Sequence, residues 1–278
     1  MSFPKLLCWL LLVAACNSSP KTGEQAASQK SSTTQISFFQ SFDGNKIAYT
    51  DDGTGDPLIL VHGFISNGDS WRKSPLRKRL LAEGFPVIIP DLRGNGLSAH
   101  PQEPGAYQDN AEIKDLVALA DHLQLDSFGA IGYSRGSIVL TRWLVEDQRI
   151  NRAVLGGMGI DFIKPDWDRR IAFADAFSGR AELSELTRGA VEYAQSIDAD
   201  LKVLGMLQDY QPVCSPEELQ TIQIPVLVIC GDQDVDNGDP QALQEALPNA
   251  SLQIVEGDHN HTHQQENFAK AVTAFFSN

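Results

Sequence analysis

Gly132-Tyr133-Ser134-Arg135-Gly136 is the stretch whose reading decides the fold of this chain. It follows the apolar run Phe128-Gly-Ala-Ile131 and precedes Ser137-Ile-Val-Leu-Thr-Arg-Trp-Leu-Val145. The upstream run reads as a buried strand. The downstream run places apolar side chains at 138, 139, 140, 143, 144 and 145, which suits a helix packed on a sheet. A serine on the sharp turn between them is held in a strained backbone conformation that lifts its hydroxyl clear of the sheet. Glycines on either side leave room for that turn, and the helix N-terminus behind it favours developing negative charge. The pentapeptide by itself is a weak signal, and an ordinary glycine-bounded strand-to-helix turn is the plain alternative. Its setting, and the partners found elsewhere, choose between the two.

Upstream, Ile36 to Phe42 and Lys46 to Thr50 flank Asp43-Gly44, a hairpin signal. Leu58-Ile-Leu-Val61 is a continuous apolar run, as an interior strand covered on both faces requires, and it ends in His62-Gly63-Phe64. Ser74-Pro75 reads as a helix N-cap with proline at the first helical position. Pro86-Val-Ile-Ile-Pro90 is the next buried strand and ends in Asp91-Leu-Arg-Gly-Asn-Gly-Leu-Ser98. Apolar residues at 113, 116, 117, 120 and 123 predict an amphipathic helix leading into the strand before Ser134. Downstream, Arg152-Ala-Val-Leu155 is a short strand, and there the alternation breaks. From about 161 to 213 no strand-like run occurs. The segment reads as a helical insertion with helices over Asp168–Phe177, Ala181–Ile197 and Asp200–Leu207. Ser215-Pro-Glu-Glu218 restarts the pattern with a capping box. A strand over Pro225-Val-Leu-Val-Ile-Cys230, a helix capped by Asp239-Pro240, a strand from Ser251 to Val255 and a helix from Gln264 to Phe276 complete it. Such alternation predicts an α/β fold with a mostly parallel sheet covered on both faces.

The chain has 278 residues and a formal net charge of −14 at pH 7. That length buries one sizeable core, and no Lys/Arg stripe is present to neutralise phosphates, which argues against a nucleic-acid partner. The first residues read as a targeting segment. Lys5 is followed by an apolar run from Leu6 to Ala15 that is too short to span a bilayer as a stable helix. Val13-Ala14-Ala15-Cys16 resembles the lipobox of bacterial lipoproteins, which implies a signal peptide over 1–15 and acylation of Cys16. A plain secretory peptide is the alternative, and the cysteine directly after the small pair favours the lipobox. Residues 16–35 are then a lipidated terminus and polar tether, and the folded domain is 36–278. Asn17 after the cysteine implies the outer membrane of the cell envelope, at its periplasmic face. Cys214 and Cys230 remain in the domain. Their pairing is permitted by an oxidising compartment but not expected, with Cys230 reading as a small buried hydrophobe.

Four further motifs give the chain from about residue 36 its resemblance to the α/β-hydrolase superfamily. His62-Gly63 is similar to that family's oxyanion-loop signature, and Asp91-Leu-Arg-Gly-Asn-Gly-Leu-Ser98 resembles its D-x-R-G-x-G-x-S turn. Gly231-Asp-Gln-Asp234 resembles the G-x-x-D that carries the triad acid, and Gly257-Asp258-His259 the turn that carries the triad base. The order Ser, Asp, His is also the family's. The resemblance implies the α/β-hydrolase fold with 161–213 as a lid, and Ser134, Asp234 and His259 as the catalytic triad.

Serine is a poor nucleophile at neutral pH, so an imidazole must take its proton, and a carboxylate must fix that imidazole's tautomer. The oxyanion needs N–H donors, for which the amides of Arg135 and Phe64 are the candidates; one such donor is worth roughly 3–4 kcal/mol. Asp232 and Asp236 compete with Asp234, and the G-x-x-D spacing favours Asp234. His261 and His263 compete with His259, which is nearest the strand, and His261 is the stronger rival. The alternation His259, His261, His263 beside Asp258 resembles a metal cluster. No other residue completes a zinc set, so neither metal nor cofactor is assigned. His62, Arg93 and Ser98 read as structural, and Trp71 as either core or pocket entrance. The expected activity is hydrolysis of a carboxylic ester or similar small acyl substrate through an acyl-serine. A non-hydrolytic use of the fold, as acyltransferase, cofactor-free peroxidase-like enzyme or small-molecule binding protein, is the alternative. Dehalogenase and epoxide hydrolase relatives use aspartate where this chain has Ser134.

Overall fold

Asp43-Gly44 turns the chain tightly enough to pair β1 (Ile36–Gln40) with β2 (Lys46–Asp51) in antiparallel register, Ile36 opposite Thr50 and Gln40 opposite Lys46. This is a computed structural model, and it describes residues 35–277. After β3 (Leu58–Val61), a short helix α1 (Asp69–Arg72) and α2 (Pro75–Ala82) lead to β4 (Val87–Pro90). Helix α3 (Ala111–His122), β5 (Phe128–Tyr133), α4 (Arg135–Glu146) and β6 (Ile150–Gly156) follow. Then come the lid helices α5 (Asp168–Phe177), α6 (Glu185–Ser196) and α7 (Leu201–Asp209). The chain ends with α8 (Pro216–Leu219), β7 (Val226–Gly231), α9 (Pro240–Ala246), β8 (Ala250–Val255) and α10 (Glu266–Ser277). The eight strands form one sheet in the order β1-β2-β4-β3-β5-β6-β7-β8. Its pairs from β4 to β8 are parallel, and β2 runs antiparallel to both of its neighbours.

Why helices cover both faces follows from the strand period of two. In β3, Ile59 and Val61 belong to one core while Leu58 and Leu60 belong to the other. The same division recurs in β6, with Ala153 and Leu155 against Val154, and in β7, with Val226 and Val228 against Leu227 and Ile229. The first core is closed by Ile113, Leu116 and Leu119 of α3, Ile138 and Trp143 of α4, and Leu243 of α9. The second is closed by Trp71, Leu76 and Leu80 on one side of the chain and Phe268 and Val272 of α10. Each such aliphatic or aromatic side chain contributes about 1.5–3 kcal/mol by leaving water. The lid has a core of its own, with Phe173, Phe177, Val191, Val203, Leu204 and Leu207 buried together.

The element boundaries differ from the sequence reading where caps intervene. Helix α6 starts at Glu185 rather than Ala181 because Ser184 caps it, the Thr187 hydroxyl accepting from the Ser184 amide at 3.1 Å. Asp200 caps α7 instead of opening it, accepting from the Val203 amide at 3.1 Å. Cys214 and Cys230 are both buried free thiols, and burial pushes each up to about 12. Trp71 is wholly buried. Cys16 and the segment before 35 lie outside the described residues. Among the described residues no helix is long and apolar enough to cross a membrane.

Candidate active site

Ser134 caps the N-terminus of α4 with φ 54° and ψ −127°, a conformation that L side chains rarely adopt. It persists because the surroundings leave no alternative. A side chain on Gly136 would strike the carbonyls of Val61 and His62 at 2.3 and 2.6 Å, and one on Gly132 would meet the Gly136 carbonyl oxygen at 2.5 Å. The strand-to-helix turn therefore needs glycine on both sides, and it projects the serine hydroxyl into a cleft of about 1270 Å³ beneath the lid.

His259 meets it there. Ser134 Oγ lies 2.8 Å from His259 Nε2, and His259 Nδ1 lies 2.8 Å from Asp234 Oδ2, whose carboxylate is 1% exposed. An ionised carboxylate can only accept, so Nδ1 carries the proton and Nε2 is left to accept from the serine hydroxyl. Asn237, which the sequence reading did not single out, donates from Nδ2 to the other oxygen of Asp234 at 2.9 Å. Asp232 is occupied elsewhere, accepting from the Gly257 amide at 2.9 Å. Tyr133, also not singled out, donates to the His259 carbonyl at 2.7 Å, so the residue before the serine holds the loop that carries the imidazole.

The three histidines of the alternating run face three ways. The segment after β8 bends through a 3₁₀ turn over Thr262–Gln264, so residues two apart do not share a side. His261 is exposed and pairs with Asp258 at 2.9 Å. His263 packs against the rings of Tyr133 at 4.5 Å and Trp71 at 5.5 Å, and burial pushes its pKa down to about 4. Among the described residues no three His, Cys, Asp or Glu side chains are grouped to hold a metal ion.

The loop after β3 runs alongside the serine. A Cβ on Gly63 would sit 3.3 Å from Ser134 Cβ. His62 fixes this loop: its Nε2 accepts from the Leu92 amide at 3.0 Å, so Nδ1 carries the hydrogen donated to the Gly63 carbonyl at 2.9 Å. Burial pushes the His62 pKa down, in keeping with that neutral ring. Phe64 next borders the cleft, and its ring meets the lid edge-on at Phe173 and Phe177, with centroids 6.1 and 5.1 Å away. The Arg135 side chain turns away to a buried bidentate pair with Glu112 at 2.8 and 2.6 Å and donates to the Leu207 carbonyl at 2.8 Å. Any role for Arg135 toward a substrate oxygen therefore falls to its backbone amide.

The loop after β4 is tied by two side chains. Asp91 accepts from the amides of Gly68 and Leu97 at 2.8 Å each and from Arg72 at 2.7 Å. Arg93, with no exposed surface, makes a bidentate pair with Asp115 at 2.7 Å and reaches Asp43 at 2.8 Å. Ser98 donates to the Asp91 carbonyl and accepts from the Ala48 amide. The D-x-R-G-x-G-x-S turn is thus a brace between loops.

A family model described as the alpha/beta hydrolase fold matches residues 56–213, more than half of the chain. The chain belongs to the alpha/beta hydrolase fold family. This hydrolase-fold chain is similar along most of its length to named relatives. One is 3-oxoadipate enol-lactonase 2 of Acinetobacter baylyi, 28% identical over 247 residues, which cover 78% of this chain and 87% of that protein. Another is non-heme chloroperoxidase CPO-A1 of Kitasatospora aureofaciens, 27% identical over 253 residues, covering 77% and 88%. Among solved structures, an esterase from Exiguobacterium antarcticum superposes with a TM-score of 0.71 at 20% identity, covering 87% of this chain and 99% of that one. That last likeness is one of fold.

Proposed function

We propose that this member of the family is a serine hydrolase that cleaves a carboxylic ester or similar acyl substrate through an acyl-serine. The observation that carries this reading is the continuous run from Ser134 Oγ through His259 to Asp234, with both hydrogen bonds at 2.8 Å. Ser134 attacks the carbonyl carbon as His259 Nε2 takes its proton. The imidazolium so formed is stabilised by Asp234, which Asn237 orients. The carbonyl oxygen, now anionic, is held by the amides of Arg135 and Phe64, and the positive end of α4 favours the same charge. Collapse of the tetrahedral intermediate breaks the bond to the leaving alcohol, which takes the proton from His259. Water then repeats the sequence on the acyl-serine, returning the acid and free Ser134. General-base help of this kind contributes about 10²–10⁴-fold.

The relative named a non-heme chloroperoxidase supports a second use of the same intermediate, in which a nucleophile other than water discharges the acyl group. Peroxide is the one to try. Lipid anchoring of the hydrolase to the cell envelope through Cys16 is a further proposal. It rests on the lipobox-like Val13-Ala14-Ala15-Cys16 alone, and release by Cys16→Ser into the soluble fraction would support it.

The decisive experiment is turnover of short-chain aryl esters together with labelling by a serine-directed fluorophosphonate. Ser134→Ala is expected to abolish both while the circular dichroism stays native. Labelling that persists at another serine would overturn the assignment of the nucleophile.

A further inference from the structure

Three arginines border the cleft over Ser134, and two of them are hydrogen-bonded within the protein through their terminal nitrogens. Arg135 is paired with Glu112, and Arg170 donates to the carbonyls of Pro165, Gln208 and Asp209. Arg169 is different. Among the described residues it makes no hydrogen bond and no ion pair, although the chain carries 36 Asp and Glu against 22 Lys and Arg. Its guanidinium lies over the ring of Phe173, 4.9 Å from the centroid.

Two effects penalise a cation at that position, offset in part by the Phe173 ring. Arg169 is half-buried, and burial pushes its pKa down, with only the more distant charges of Asp236 and Asp234 opposing. It is the second residue of α5, at the helix end whose dipole repels positive charge. Asp234 is committed to His259 and Asn237, and Asp236, whose charge also favours the guanidinium, forms no ion pair with it. A second donor borders the same cleft: Gln211 is 5% exposed and its Nε2 has no partner. A guanidinium offers a planar fork of N–H groups whose geometry matches a carboxylate, and a charge-assisted pair in a partly desolvated cleft would offset both penalties. The rest of the lining supplies the complement. Leu186 and Tyr193 of α6, and Ile197 just after it, are large side chains left exposed, and all three border this cleft.

We infer that Arg169 is a specificity-determining residue that recognises a carboxylate carried by the substrate, so that the preferred esters are amphiphilic, anionic at one end and apolar elsewhere. This rests on the serine-hydrolase reading, and it adds the charge of the substrate to it. The carboxylate can sit on the acyl or on the alcohol part, and two matched ester pairs distinguish them. The first pair is 4-nitrophenyl hemiadipate against 4-nitrophenyl hexanoate. The second is 4-(butanoyloxy)benzoate against phenyl butanoate.

The readout is the ratio of kcat/KM for the charged over the neutral member of each pair, in the full chain and in Arg169→Gln and Arg169→Lys. The ratio in at least one pair is expected to fall tenfold or more in Arg169→Gln, through KM, and to recover in part in Arg169→Lys. Ratios unchanged by Arg169→Gln in both pairs overturn the inference. Should the wild type hydrolyse none of the four esters and take up no fluorophosphonate, the serine-hydrolase reading fails by itself. Adipate binding, followed as a rise in Tm, then reads the site directly. A rise in wild type that Arg169→Gln loses supports the carboxylate site, and equal behaviour of the two proteins overturns it.

Discussion

Arg93, in the loops above the sheet, and Arg169, at the start of the lid, are both withdrawn from water, and they are provided for in opposite ways. Burial opposes the charge on Arg93, but its hydrogen bonds to Asp115 and Asp43 outweigh that cost and raise its pKa. Ser41 completes the shell, donating to Asp115. Arg169 has no such shell. The contrast extends to the regions around them. Loops above the sheet are cross-tied by Asp91, Arg93, His62 and Ser98, so the groups that meet Ser134 are preorganised. Lid helices pack through an apolar core and the Phe64 ring and are tied by Arg135, Arg170 and Arg180. Yet among the described residues Arg169 and the Gln211 Nε2 are left without a polar partner at the cleft. The sheet side is built for fixed chemistry, and the lid for whatever molecule the chemistry is done on.

The largest expected effect tests the fixed side. His259→Ala should lower kcat by about 10³-fold or more, whereas His261→Ala should lose at most about tenfold, roughly 1.4 kcal/mol. Steady-state kinetics on one ester decides it, and an active His259→Ala would move the base elsewhere. Next, Asp115→Ala leaves the Arg93 guanidinium buried without its bidentate partner and should cost about 3–5 kcal/mol in urea unfolding. A loss below about 1 kcal/mol would erase the contrast drawn between the two arginines.

His263 gives the third test. Its native pKa of about 4 lies below the ordinary 6.5, so between those values the unfolded chain binds a proton that the folded one refuses. Stability from this group is therefore present above pH 6.5 and is lost as pH falls toward 4, on the order of 3 kcal/mol in all. His263→Phe keeps a ring against Tyr133 and Trp71 and should flatten the fall in unfolding free energy between pH 7 and 4.5. An unchanged slope would assign the acid sensitivity to other groups. The smallest effect belongs to the lid. Tyr193→Ala, exposed at the cleft, should change stability by no more than about 0.5 kcal/mol while shifting KM for apolar esters severalfold. A large loss of stability would show that the lid, too, is held by its rim.

What the sequence makes legible is whatever the backbone demands locally. Gly132 and Gly136 are required by carbonyls within a few ångströms, and proline or serine at helix starts answers unsatisfied amides, so turns and strand ends leave marks at fixed spacing. Pairing between side chains distant in the chain leaves no such mark. The Tyr133 hydroxyl reaches the His259 carbonyl across 126 residues, and Arg135 reaches Glu112 across 23. Nothing local distinguishes Asn237 from any loop asparagine, although it donates to Asp234. The orientation of His259, His261 and His263 likewise depended on a 3₁₀ turn that an extended loop would not have had. In the lid, helical periodicity gives Asp168–Phe177 directly, while the apolar faces do not reveal which of them lines the cleft.

One consequence follows from where the imidazole hangs. His259 lies just beyond β8, the strand at the far edge of the sheet, which pairs on one side only and has no fully buried residue. Elements with few buried contacts open locally at free energies below that of global unfolding. In mild denaturant, activity is therefore expected to fall while β3, β5 and β6 still protect their amides from hydrogen exchange. Activity loss would then report the fraying of a single strand, well ahead of any change in the far-ultraviolet circular dichroism.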